Sequence, residues 1–148
     1  TIFLYFLFKN FNKKSFFYII LFVVLGITVS DQIANIFKFG FERLRPCHDP
    51  SLKGLIREVQ CGGQFGFYSA HSSNAFFLAT YLTLLLRNKI KWLPYFLFIW
   101  ASTVAYSRVY LGMHFPGDVL TGAIMGILLG TFFALLALKV IKKSNNQL

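Results

Sequence analysis

The sequence predicts an all-α fold, a polytopic transmembrane helix bundle, and three observations carry that reading. Hydrophobic residues make up 56% of the chain and charged residues only 14%, against roughly a quarter charged in a soluble domain. Mean hydropathy is +0.60, so there is too little polar surface to coat a water-soluble globule of 148 residues. The apolar residues fall in long runs without the in–out alternation of membrane strands. In lipid the backbone must satisfy its own hydrogen bonds, which leaves helices.

The elements follow in order. Thr1–Phe8 is apolar but too short to cross a bilayer, which takes about twenty residues. It is neither preceded by a charged segment nor followed by a small-residue cleavage site, so it does not resemble a signal peptide. It reads as the remnant of a first helix, and the chain as a single domain over 1–148 truncated at its N-terminus. A basic turn (Lys9, Lys13, Lys14) leads into a helix at 15–37. Residues 38–67 hold Pro46, Pro50, Gly54, Gly62, Gly63 and Gly66, and form a long loop. Further helices are expected at 69–86, 92–109 and 118–140, with Trp92 and Tyr95 as interfacial anchors. Gly122, Gly126 and Gly130, at four-residue spacing, predict close helix–helix packing on the face that carries Asp118.

The net charge of +10 would suit nucleic acid if it formed a patch on a soluble fold. Here it is split into clusters between apolar runs, which excludes that class and fixes an orientation. Lys9, Lys13, Lys14, Arg87, Lys89, Lys91, Lys139, Lys142 and Lys143 fall on one side if each run crosses once. By the positive-inside rule that side is the cytoplasm, and the 38–67 loop and the 110–117 break face outward.

Those outward segments gather Lys38, Arg45, Ser69, His71, Arg108, His114 and Asp118. Three cations, two histidines and a carboxylate at one membrane face suit an anion. Arg offers a planar fork matched to phosphate oxygens. Ser69 stands where a helix cap would aim free amides at such a ligand. Asp118, four residues after His114, can hold one imidazole nitrogen and leave the other as a nucleophile. His71 can protonate a departing oxygen.

The pattern Lys38-x6-Arg45-Pro46, then Ser69-x-His71, then Ser107-Arg108-x5-His114-x3-Asp118 resembles the three signature motifs of the type 2 phosphatidic acid phosphatase superfamily. That resemblance implies a metal-independent, cofactor-free lipid phosphatase of a bacterial inner membrane, its site on the extracytoplasmic face. Lys38, Arg45 and Arg108 would bind the phosphate with Ser69 and the Ala70 amide, and Ser107 would support them. His114 would be phosphorylated, Asp118 would orient it, and His71 would act as acid and base. The usual Pro-Ser-Gly-His is Tyr68-Ser69-Ala70-His71 here, which keeps the amide. Undecaprenyl diphosphate is the first-choice substrate; phosphatidylglycerol phosphate, phosphatidic acid and lipid A 1-phosphate are the alternatives. A vanadium haloperoxidase and a non-catalytic lipid-phosphate binder are the competing classes. No obligate protein partner is indicated.

Other polar residues have plainer readings. Asp31, buried in an apolar run, is expected to fix Lys38 or a nearby Arg, or else to pack between helices. Glu42 and Arg43 read as loop charges or a local ion pair, His48 as a polar cap beside Asp49, and Lys53, Arg57 and Glu58 as solvated charges. Cys47 and Cys61 lie in the outward loop, where an oxidising compartment permits a disulfide. Two free thiols, or a metal pair joined by His48, are the alternatives.

Overall fold

The computed structural model describes residues 11–56 and 61–146. The expected Thr1–Phe8 remnant, Lys9, Arg57 and Glu58 lie outside these. The described residues form four α-helices: α1 Lys13–Phe41, α2 Ala70–Leu86, α3 Leu93–Tyr110 and α4 Pro116–Asn145. Two single-turn 3-10 helices, Pro46–His48 and Pro50–Leu52, punctuate the loop between α1 and α2.

α1 begins where the Asn12 side chain accepts the Ser15 amide at 2.7 Å. It runs a turn past the expected end at Phe37, because nothing in Lys38-Phe39-Gly40-Phe41 breaks a helix. Phe37 and Phe41 stack at 5.8 Å across that turn. The helix stops at Glu42, whose left-handed φ of 48° lets its amide close onto Lys38 O at 3.0 Å. Lys38 is therefore helical, in the last turn of α1, rather than the first residue of a loop. α4 starts two residues earlier than expected, since Pro116 occupies the first helical position, where its missing N–H costs nothing. It ends later, at Asn145, because Lys142 and Lys143 in its last turn suit the helix dipole there.

α2 is the central helix, with Ser72, Ser73, Ala75, Phe77, Ala79, Thr80 and Tyr81 all buried. A helix covered on every side has no need of an amphipathic pattern. Against it α4 lays its glycine stripe: a Cβ on Gly122 would stand 2.5 Å from Ser69 O, and one on Gly130 2.7 Å from Phe77 O. α1 joins through Ser30 Oγ and Ser73 Oγ at 2.8 Å, and the Tyr81 hydroxyl donates to Ile19 O at 3.0 Å.

The outer faces are apolar: Phe17, Val24 and Ile36 on α1, Tyr95 and Ile99 on α3, Ile124, Leu128 and Phe132 on α4 are exposed. α1 and α4 are each long and apolar enough to cross a membrane. α2 and α3, with 17 and 18 residues, reach about 25 Å and sit at the short limit for crossing. The fold is an all-α transmembrane helix bundle.

Its two ends differ. At one, Asn12 Nδ2 donates to Asn145 Oδ1 (2.9 Å) and Lys89 lies over the Phe11 ring. Lys13 and Lys14 of α1, Arg87, Lys89 and Lys91 of the α2–α3 turn, and Lys142 and Lys143 of α4 lie at this end. At the other, the C-termini of α1 and α3 meet the N-termini of α2 and α4.

Candidate active site

Four helix ends and one loop build the second end. The loop is clamped twice. Leu44 and Phe65 form an isolated antiparallel bridge, with Arg45 N to Gln64 O at 3.1 Å and Gly66 N to Arg43 O at 2.8 Å. Cys47 and Cys61 are joined in a disulfide, their Cα atoms 5.9 Å apart. With the sulfurs bonded to each other they are not free to ligate a metal with His48. His48 instead pairs through Nε2 with the Gly62 carbonyl, 3.1 Å away.

The clamp presents Arg45, which is buried with its guanidinium turned inward. Its Nη1 lies 3.0 Å from His114 Nε2 and 3.3 Å from Met113 O. An arginine can only donate, so Nε2 is the acceptor and the imidazole proton resides on Nδ1. That nitrogen faces Asp118 Oδ2 at 3.6 Å, an ion-pair distance too long for a full hydrogen bond. Among the described residues Nδ1 has no other partner. The geometry thus leaves a nitrogen lone pair aimed at a buried cation. Burial chiefly pushes the His114 pKa below its ordinary 6.5; Arg45 and Lys38 add to this, while Asp118 opposes it.

His114 is held by its own turn, since its amide and that of Met113 both donate to Arg108 O, at 3.3 and 3.1 Å. The Arg108 side chain leans on Ser107, with Nε to Ser107 Oγ at 3.1 Å; Ser107 Oγ in turn donates to Val104 O at 2.7 Å. Asp118, wholly buried in the first turn of α4, accepts the Phe115 amide on Oδ2 at 2.9 Å.

Ser69 caps α2, its Oγ accepting from Ser72 N at 3.4 Å, and its amide donates to Asp118 O at 3.0 Å. This leaves the Ala70 and His71 amides, the first two of the helix, without an intrahelical partner. The His71 side chain is exposed and within electrostatic range of Arg108, His114, Lys38 and Arg45. Lys38 and Arg45 line a 440 Å³ cavity with Asn35, Gln64 and Phe65. A second cleft, of 270 Å³, adjoins His114 and is walled by Leu52, Ile56, Tyr110 and Phe115.

Lys38, Arg45, Ser69, Ala70, His71, Ser107, Arg108, His114 and Asp118 therefore meet at one end of the bundle. Asp31 lies about 10 Å along α1 from Lys38; its charge reaches Lys38, but its hydrogen bond crosses to Asn74 Nδ2 of α2 at 2.8 Å, the interhelical alternative.

Arg43 departs furthest from expectation. It turns away from Glu42 and binds Asp118 Oδ1 through Nη1 at 3.0 Å, its guanidinium 4.5 Å from the centre of the Phe115 ring. The signal was present in the sequence: residues 43 and 45 flank one extended position, and alternate residues of an extended segment point the same way.

Residues 17–142 match the PAP2 superfamily. A lipid A 4'-phosphatase of Bacteroides thetaiotaomicron is 40% identical over 141 residues, covering 93% of this chain and 62% of that protein. The lipid A 4'-phosphatase of Porphyromonas gingivalis is 36% identical, over 88% of this chain and 56% of that one. The chain thus spans roughly three-fifths of the length of these relatives. The crystal structure of a transmembrane PAP2 type phosphatidylglycerolphosphate phosphatase from Bacillus subtilis superposes with a TM-score of 0.62 at 28% identity, over 81% of this chain and 59% of that one. The ordered set of motif residues, the bundle that brings them together and the match over most of its length all agree: this chain belongs to the PAP2 superfamily.

Proposed function

We propose that this protein hydrolyses a phosphate ester on a membrane lipid headgroup through a phosphohistidine at His114. The observation that carries this reading is the His114 imidazole, with Nε2 facing Arg45 at 3.0 Å and Nδ1 facing Asp118. Arg45, Lys38 and Arg108, with the Ala70 and His71 amides, surround the phosphate and neutralise its charge. Nε2 attacks phosphorus, and the bond from phosphorus to the lipid oxygen breaks as His71 gives that oxygen a proton. Asp118 stabilises the charge that develops on the His114 ring. Water then gives a proton to His71 and attacks phosphorus. The P–N bond breaks, inorganic phosphate leaves and the ring is restored. Positioning and charge stabilisation carry both steps.

The substrate we favour is a phosphorylated glycolipid of the lipid A type, supported by the two lipid A 4'-phosphatases above. This moves undecaprenyl diphosphate, the first choice from sequence, to second place. An undecaprenyl-diphosphatase of Sulfolobus acidocaldarius, 29% identical over 70% of this chain, keeps it in view. The helices cross the membrane in alternation, with the site on the extracytoplasmic face. Support comes from the basic residues at the opposite end and from a disulfide beside the site, which suits an oxidising compartment.

The test is phosphate release by the full chain in detergent with EDTA, from lipid A bearing a 4'-phosphate, lipid A bearing a 1-phosphate and undecaprenyl diphosphate. Release that survives EDTA and is lost in His114→Ala is expected, fastest on lipid A. Equal release by the variant, or none from any lipid phosphate, would sink the catalytic reading. Faster release from undecaprenyl diphosphate would reverse the substrate order.

A further inference from the structure

We propose that Arg43 is a positioning residue of this site: by engaging Asp118 Oδ1 it limits that carboxylate's hold on His114 and keeps the imidazole in its neutral, attacking form. The inference rests on the reading of His114 as nucleophile.

Asp118 is fully buried and faces three donors. Oδ1 takes Arg43 at 3.0 Å, and Oδ2 takes the Phe115 amide at 2.9 Å. His114 Nδ1, at 3.6 Å from Oδ2, is the most distant of the three. Arg45 from the loop and Lys38 from α1 also act on the imidazole, and His71 from α2 interacts with it, while Arg108 from α3 acts on His71. All are cations or can become so, and those that act on the imidazole disfavour a proton on it. Asp118 on α4 is the one group in this set that favours the proton. Whatever neutralises Asp118 therefore sets whether Nε2 keeps its lone pair.

Arg43 does this from outside the core. Its side chain is 44% exposed and is seated on the Phe115 ring rather than enclosed. Without it the buried carboxylate would be shared between Arg45, which also acts on it, and the His114 imidazole, and His114 would bind its proton more tightly. The protonated ring has Nε2–H in place of a lone pair and cannot attack phosphorus.

The experiment follows the His114 ring nitrogens by NMR in the 15N-histidine-labelled full chain in detergent, assigned by the signal missing from His114→Ala. Arg43→Gln is expected to raise the His114 midpoint by about one pH unit, and Arg43→Lys, which keeps the charge, to leave it near wild type. Phe115→Leu, which unseats Arg43 without altering charge, should shift it the same way by less. On the best lipid phosphate, the acid limb of the Arg43→Gln rate profile should move up with the titration, and kcat should fall more than KM rises. An unmoved midpoint in Arg43→Gln overturns the proposal, and so does an equal shift in Arg43→Lys. Because the titration needs no substrate, absence of turnover would remove the catalytic reading while still deciding what Arg43 does to His114.

Discussion

Replacing Gly126 with alanine places a methyl group where α4 touches α2, two turns from Asp118. The new Cβ would overlap Ser73 O, lie 2.9 Å from Phe77 N and approach Phe76 Cβ to 3.0 Å. Two of these atoms are backbone, so no rotamer change relieves the contact and the helices must part by about 1 Å to restore van der Waals separation. Overpacking of this kind costs about 1–3 kcal/mol. Between helices in lipid there is no hydrophobic term to offset it. The same two helices carry the Ser69–Asp118 and Ser72–Val119 hydrogen bonds, at 3.0 and 2.8 Å. A displacement of about 1 Å there carries to the ring of His114 and lowers kcat about 100-fold. Gly40→Ala is the control, since its Cβ meets nothing within 4 Å and an alanine there favours the helix by about 0.5–1 kcal/mol. Thermal unfolding in detergent and phosphate release at saturating lipid measure the two effects. The expected result is a lower Tm and slower turnover for Gly126→Ala, with neither for Gly40→Ala. A Gly126→Ala protein with wild-type Tm and rate would refute the coupling of helix packing to the site.

Two further predictions concern protons and the loop. Burial, seconded by Arg45 and Lys38 and opposed by Asp118, holds the His114 pKa below 6.5, so Nε2 stays unprotonated into mild acid. The acid limb of kcat/KM should have its midpoint below 6.5, and a limb at or above that value counts against the neutral imidazole. The same shift makes the unfolded chain take up this proton first, so His114's contribution to stability falls as pH drops through 6.5. The Cys47–Cys61 bridge, with a sequence separation of 14, should contribute about 3 kcal/mol in the chain-entropy model. Since Arg45 stands two residues before Cys47, the Cys47→Ser/Cys61→Ser protein should lose Tm and gain KM more than it loses kcat. Thiol labelling alongside would expose the idea as wrong if the open form matched wild type in both.

How much the sequence discloses depends on how each residue is fixed. Lys38, Arg45, Ser69, His71, Arg108, His114 and Asp118 were legible because local spacing sets them on helix ends that alternate between two faces. The glycine stripe was legible for a similar reason, since small residues at period four have few uses other than close approach. Arg43 was passed over because no motif claims it, although its place two residues before Arg45 in an extended segment puts both on one side, and its partner Asp118 shows only in the fold. Asp31 was legible in part: sharing a helical face gives it electrostatic reach to Lys38 but not contact, and its hydrogen bond goes to Asn74 on the neighbouring helix. The boundaries at Phe41 and Pro116 were missed because aromatic stacking and a proline at the first helical position extend helices past the apolar run itself.

The arrangement of charge on the helix ends explains how so many cations share one small volume. α2 and α4 turn their N-termini, the positive ends of their dipoles, toward the site, and α2 adds the free Ala70 and His71 amides. α1 and α3 turn their C-termini toward it, where the dipole is negative, and there Lys38 and Arg108 lie in the last turns. Asp118 lies in the first turn of α4, the end that favours an acid. Lys38, Arg108 and Asp118 therefore each sit where their own helix stabilises them, and the repulsion among Lys38, Arg45 and Arg108 is set against these three dipole contacts and the Asp118 carboxylate. A phosphate entering between them would meet donors from α1, α2, α3 and the loop that carries Arg45. Up-and-down connectivity puts two helix N-termini and two C-termini at each end of the bundle, so what sets this end apart is the charge placed on them: Lys38 and Arg108 in last turns and Asp118 in a first turn.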